Sequence, residues 1–181
     1  MGGVRKVKAP LDRELTRELR AGDRLLITGR LITARDQAHR RMVETLESGG
    51  RLPVDLQGEI VYYCAPSPPP PGLPAGSAGP TTSSRMDPFT PRLAAEGMAA
   101  CLGKGPRSRE VREALRRHGV LYLVTVGGAA ALLGSRIRSA KVLAYPELGP
   151  EAVMELEVED FPAVVAYDLA GGDVFAHLPD A

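Results

Sequence analysis

A chain of 181 residues fits one domain and can bury roughly 70% of its unfolded surface. With 44% hydrophobic and 25% charged residues it has the make-up of an ordinary globular protein, and it holds no apolar run of about 18 residues that would read as a membrane span. A net charge of +1, 4% aromatic residues, two cysteines outside any CxxC and three scattered histidines argue against a base-stacking nucleic-acid platform, a disulfide scaffold and a structural zinc.

The charge is uneven. Residues 1–51 hold twelve Lys or Arg against seven acids, whereas from Pro146 onward there are nine acids and no Lys or Arg. The basic half therefore reads as a solvated surface, a nucleic-acid face, or a surface for an acidic partner or small anion. No signal-peptide core stands at the N-terminus, and the expected location is the cytoplasm.

In chain order, residues 1–20 read as a polar approach segment with at most a turn of helix. RLLITGRLIT (24–33) is rich in β-favouring side chains, and Gly29 within it marks a bulge or a close backbone approach. From Asp36 the period becomes helical, with Ala38, Met42, Val43 and Leu46 on one face and Gly49-Gly50 as the stop. Thr33 or Asp36 is the expected cap, and Arg35 stands at the helix mouth, where outward amides attract anions. GEIVYYCA (58–65) is a short strand, and the six prolines between Pro66 and Pro74 impose an extended connection.

Thr90 is expected to cap a short helix with Pro91 in its first turn and Gly97 at its end. SREVREALRRHG (108–119) is an amphipathic helix with Ser108 as cap and Gly119 as terminator. VLYLVTV (120–126) is a buried strand that turns at Gly127-Gly128 into a short helix. KVLAYPEL (141–148), AVMELEVED (152–160) and FPAVVAYDL (161–169) give three more β-leaning stretches, and GGDVFAHL (171–178) an edge strand or turn. The order predicts a single α/β domain over 1–181 with mixed sheets. It contains neither a GxGxxG fingerprint after a first strand nor a GxxxxGK[ST] phosphate loop.

The polar residues at element junctions are the candidates for chemistry. They are Arg35 and His39 at the first strand–helix join, the hydroxyl-rich loop GPTTSSRMD (79–87) with Thr81, Thr82, Ser83, Ser84, Arg85 and Asp87, Lys104 between two glycines, and Gly127-Gly128. Three cations in glycine-, proline- or hydroxyl-rich turns suit a ligand with two carboxylates, because an arginine fork matches two oxygens at once. Each also has an ordinary structural role to hand: His39 on a helix surface, Asp87 capping the next turn, the hydroxyls satisfying loop amides, Met86 in the core, Cys64 and Cys101 as buried thiols. A threonine hydroxyl is a poor base without a partner, and none stands near Thr81 in the sequence. The set reads as half of an active site, completed by another chain.

AGDRLLITGRLITARDQAHRR (21–41), LPVDLQGEIVYY (52–63), GPTTSSRMDPFTP (79–91), GKG (103–105), YLVTVGGAAALL (122–133) and AYPELGPEAVMELEVEDFPAVVAYDLAG (144–171) together resemble the beta subunit, equivalently the C-terminal domain, of the iron-sulfur class I fumarate hydratases and L(+)-tartrate dehydratases. TARDxAH, then GPTTSxRMD, then GKG is the specific combination. The chain departs from the usual family pattern at Ala65-Pro66 and by having Ser84 directly before Arg85.

The resemblance implies a swivelling β/β/α domain, a hydro-lyase active only with a cluster-bearing alpha subunit, and an alpha2-beta2 assembly. A [4Fe-4S] cluster held by the partner's cysteines would act as Lewis acid on the leaving hydroxyl. It implies Thr81 as the catalytic base, assisted by an aspartate of the partner, and Arg35, Arg85 and Lys104 as substrate-binding groups. His39, Thr82, Asp87, Gly127 and Gly128 are possible supports, with no metal ligand in this chain. The expected reaction is reversible hydration of fumarate to (S)-malate, with L(+)-tartrate dehydration as the alternative; neither nucleic acid nor membrane is an expected partner. A reading of another class, a non-catalytic anion- or nucleic-acid-binding module, predicts binding that weakens with salt and survives loss of Thr81.

Overall fold

The computed structural model describes residues 3–177. Among these, in order, are β1 (Val4–Ala9), α1 (Arg13–Glu18), β2 (Arg24–Thr33), α2 (Asp36–Glu47), β3 (Ile60–Tyr62), α3 (Thr90–Ala94), β4 (Ala100–Gly103), α4 (Arg109–His118), β5 (Leu121–Val124), α5 (Ala130–Gly134), β6 (Ile137–Ala144) and β7 (Val153–Tyr167), with 3-10 turns at Ser83–Met86 and Pro146–Glu151. The class is α/β with a mixed seven-stranded sheet, as expected from the sequence. The part of residues 1–20 read as an approach segment contains β1, paired in parallel with β2 from Val4↔Arg24 to Ala9↔Gly29.

Strands β1 to β5 run parallel. β7 then pairs antiparallel with both β2 and β5, so that β2, β3, β4, β5 and β7 form a closed hydrogen-bonded circuit, with β6 added outside on β7. The two stretches expected as separate strands at 152–160 and 161–169 merge into the single β7. It bends at Asp160 (φ 49°), where the register against β2 shifts by a bulge opposite Gly29. Gly29 has φ 119°, and a side chain there would run into the carbonyl of Ala9, so the close strand approach requires glycine.

Alternation along the strands divides the core in two. Ile60, Tyr62, Leu102, Leu121 and Leu123 point to one side, with Phe161 and Val165 of β7. Val61, Tyr63, Cys101 and Tyr122 point to the other, where Ala38 and Met42 of α2, Leu93 of α3 and Leu115 of α4 cover them. Ser108 caps α4 by accepting from Val111 N–H (3.3 Å), and Gly119 ends it at φ 70°, both as expected.

Two expected caps are absent. Neither Thr33 nor Asp36 caps α2; the flanking residue is Arg35, whose side chain makes no capping bond, and Thr33 Oγ1 instead accepts from Met154 N–H (3.2 Å) across the sheet. Thr90 lies inside α3 and donates to Met86 O (2.8 Å). For Thr33 a contact across the sheet takes the hydroxyl that local sequence offered to the helix end, whereas Thr90 bonds back to the carbonyl four residues earlier. The stretch 171–177 is a turn region bridged to Tyr167 through Asp173, while residue 178 lies outside the described residues.

Candidate active site

The parallel strands β2, β3, β4 and β5 end on one edge of the sheet, and Arg35, Tyr63, Lys104 and Gly127-Gly128 follow those ends in turn. Loops at such a carboxyl edge are where open α/β sheets gather ligands. The hydroxyl-rich loop is fastened here by main-chain bonds. Thr81 N–H donates to Tyr63 O (2.7 Å), Ser83 N–H to Lys104 O (3.0 Å), and Lys104 N–H to Ser83 Oγ (3.0 Å). Tyr122 O–H donates to Gly105 O (2.6 Å), and the Ser83 hydroxyl donates to the Tyr122 oxygen (2.8 Å). A side chain at Gly103 would collide with Ser83, so glycine there lets the loop lie flat on β4.

This scaffold brings Thr81 and Lys104 together and leaves their functional ends uncommitted. Among the described residues neither the Thr81 hydroxyl, the Arg85 guanidinium nor the Lys104 ammonium has a hydrogen-bond or ion-pair partner. The Lys104 stem runs beside Gly127, its Cδ 3.7 Å from where a side chain on that glycine would begin. Thr82, Arg85, Gly127 and Gly128 are exposed, and Thr81, Arg35 and Lys104 are half-buried, so the group faces outward along an open edge. A hollow of about 300 Å³ lined by Arg109, Arg112, Arg116, Tyr167 and Asp173 shares no residue with this edge, and Arg112 there is bound to Asp173 (2.9 Å).

Arg35 differs from the other cations in being engaged within the chain. Its Nε lies 3.1 Å from Glu151 Oε1 and its Nη2 3.4 Å from Asp36 Oδ1. The Glu151 contact is an ion pair without hydrogen-bond alignment, because Arg35 Nε is buried with no acceptor in line.

His39 is fully buried under Tyr63 and Phe89, with ring centroids 5.3 and 6.4 Å away. Its Nδ1 lies 2.8 Å from Arg35 O; a carbonyl only accepts, so Nδ1 carries the proton and Nε2 is left buried without a partner. Burial, reinforced by the charge of Arg107, lowers the imidazole to about 4 against the opposing bond to Arg35. His39 is thus a neutral support beneath the Arg35 main chain.

Asp87 is also a support. Its Oδ1 accepts from Arg107 Nε (2.6 Å) and its Oδ2 from Ser108 N–H (2.9 Å). The buried Arg107 further donates to Thr90 Oγ1 (2.7 Å) and Tyr63 O–H (3.2 Å) and lies over the rings of Tyr63 and Tyr122, each 5.2 Å away. One guanidinium therefore joins the hydroxyl-rich loop, α3, β3 and the turn carrying Lys104. The sequence reading missed Arg107 and Glu151. The cation after GKGP was the only local signal for the first, and nothing local marks the second.

Cys64 and Cys101 lie in the two different core clusters, on opposite faces of the sheet, and do not converge. Burial pushes the Cys64 thiol up to about 12 and raises Cys101 as well, so neither is a ready thiolate. Among the described residues no three of His, Cys, Asp and Glu come together as a metal site, and the residues present do not fit an iron-sulfur cluster. No described helix is long and apolar enough to cross a membrane.

The family model of the fumarase C-terminus matches residues 4–178. The chain is 42% identical over 157 residues to the anaerobic class I fumarate hydratase of Escherichia coli (strain K12), and 45% identical over 157 residues to the mitochondrial fumarate hydratase 1 of Leishmania major. Each match takes in 86% of this chain and 29% of the relative, so the chain spans about three tenths of the length of these relatives. It is also 36% identical over 174 residues to a candidate L(+)-tartrate dehydratase subunit beta of Methanocaldococcus jannaschii, covering 93% of this chain and 89% of that one. With nearly every described residue inside the match, the chain belongs to the fumarase C-terminus family.

Proposed function

We propose that this chain is the beta subunit of a heteromeric hydro-lyase that reversibly hydrates fumarate to (S)-malate, with the [4Fe-4S] cluster on an alpha partner in an alpha2-beta2 assembly. The observation that carries the reading is the group of Thr81, Arg85 and Lys104 on one sheet edge, main chains fixed and polar ends free. Free cations on a fixed frame can meet carboxylate charge without reorganising, which is the condition for electrostatic stabilisation of a transition state. In this reading Arg35 and Arg85 bind the two carboxylates and Lys104 adds positive potential where negative charge develops. Thr81 Oγ receives the C3 proton of malate in the dehydration direction and returns it on hydration. A carboxylate from the partner draws the threonine proton away, a role no side chain of this chain takes at Thr81 among the described residues. Closure by the partner would exclude water from what is here an open edge.

A second reading, L(+)-tartrate dehydratase, is favoured by the Methanocaldococcus relative, whose length this chain nearly fills. Anaerobic co-expression with the cluster-bearing partner, assayed with fumarate and L(+)-tartrate in parallel, tests both. We expect turnover only with both chains, and a loss of about 10²- to 10⁴-fold in kcat for Thr81→Ala. Full activity in that variant would remove Thr81 from the chemistry, and the ratio of rates on the two substrates decides between the readings.

A further inference from the structure

Among the three proposed ligand-binding cations, Arg35 alone already holds a carboxylate. Its partner Glu151 closes the 3-10 segment Pro146–Glu151, which has no buried residue and is broken at Gly149 (φ 59°, ψ −123°). Tyr145, at φ 54°, introduces the segment. Two ion pairs fasten this strap to α2: Glu151 on Arg35 and Glu147 on Arg41, whose guanidinium also lies 5.4 Å from the centre of the Tyr145 ring. Within the segment Leu148, half-buried, packs against the core, as does Tyr145 at its start. The two ion pairs are the part of this attachment for which free anions can compete.

The geometry of the Arg35 pair favours exchange. Arg35 Nε is buried without an in-line acceptor, and its contact to Asp36 is long at 3.4 Å. A free carboxylate can align two oxygens with the guanidinium fork, which Glu151 does not do. The Arg35 and Glu151 side chains are 22% and 23% exposed, so water reaches the pair and lowers its strength.

We propose that Glu151 is a built-in competitor for the substrate: it occupies Arg35 in the empty site, a dicarboxylate displaces it, and the displacement loosens the 146–151 strap. This deepens the hydro-lyase reading and rests on it. Glu151 then sets affinity rather than chemistry, keeping Arg35 oriented and neutralised until a ligand with the right charge arrives.

The test uses the assembled enzyme with its partner. Glu151→Gln should lower KM for fumarate by about three-fold with kcat retained, the gain expected from removing a weak, partly exposed competitor. Hydrogen exchange in peptides spanning 145–152 should rise when succinate, an unreactive dicarboxylate, is added to the wild type. In Glu151→Gln it should be high already and insensitive to succinate. Glu147→Gln loosens the strap without freeing Arg35 and should leave KM unchanged. An unchanged or raised KM in Glu151→Gln, in an enzyme that still turns over, overturns the competitor and leaves the hydro-lyase reading standing. A fall in KM in Glu147→Gln equal to that in Glu151→Gln also overturns it, because strap mobility and not competition would be the cause. A wild-type assembly inactive on both fumarate and tartrate, with exchange unaffected by succinate, removes the functional reading and the competitor together.

Discussion

His39 shows how a single side chain can be fixed in one state by its surroundings. Its folded-state pKa of about 4 lies below the ordinary value of 6.5, so the folded protein favours the neutral ring. Above pH 6.5 the ring is neutral in both states and its contribution is complete. As pH falls towards 4 the unfolded chain takes up the proton first, and stability drains away by on the order of 3 kcal/mol. Urea unfolding of the wild type and His39→Asn at several pH values should show this extra slope in the wild type alone. Equal slopes would mean that the ring is hydrated or charged in the folded state.

At the scale of elements, the buried Arg107 ties the hydroxyl-rich loop to the turn that carries Lys104. The two ends of its pair with Asp87 are not equivalent. The Arg107 side chain is 0% exposed and Asp87 16%, so only Asp87 can turn to water when its partner is lost. Asp87→Ala strands a charge in the interior and should cost about 3–5 kcal/mol, whereas Arg107→Met replaces the guanidinium with an apolar chain and should cost less. Chemical denaturation of the two variants measures the order. The reverse order would show that water already reaches Arg107. Because Thr90 and Tyr63 share the same guanidinium, Asp87→Ala should also disturb the spacing between Thr81 and Lys104.

For the whole molecule, the closed circuit of β2, β3, β4, β5 and β7 makes a frame that does not depend on the open edge. Two apolar clusters fill both sides of that frame, which is reason to expect the chain to fold alone. Thr81, Arg85 and Lys104 nevertheless face outward, and among the described residues no side chain pairs with the Thr81 hydroxyl. The purified chain should therefore show a cooperative thermal transition and no turnover of fumarate. Turnover by the chain alone would contradict the half-site reading.

The sequence determined by itself what depends on neighbours along the chain. That includes the strand at 24–33 with Gly29 as its irregular point, the α4 helix with Ser108 and Gly119 at its ends, the α/β class, and the family through TARDxAH, GPTTSxRMD and GKG. It also marked the polar residues in glycine- and hydroxyl-rich turns as a set, while the narrower choice of Thr81, Arg35, Arg85 and Lys104 came from the family resemblance. Tertiary structure alone decided the rest. It made β1 a strand by offering it the edge of β2, fused two short strands into β7 across a bulge, and took Thr33 away from the helix end it was expected to cap. It buried Arg107 at the centre of the site's support and brought Glu151, more than a hundred residues away, onto Arg35. The physical reason is the same throughout: hydrogen bonds and ion pairs between distant segments outcompete weak local preferences, and no local pattern records which distant group will arrive.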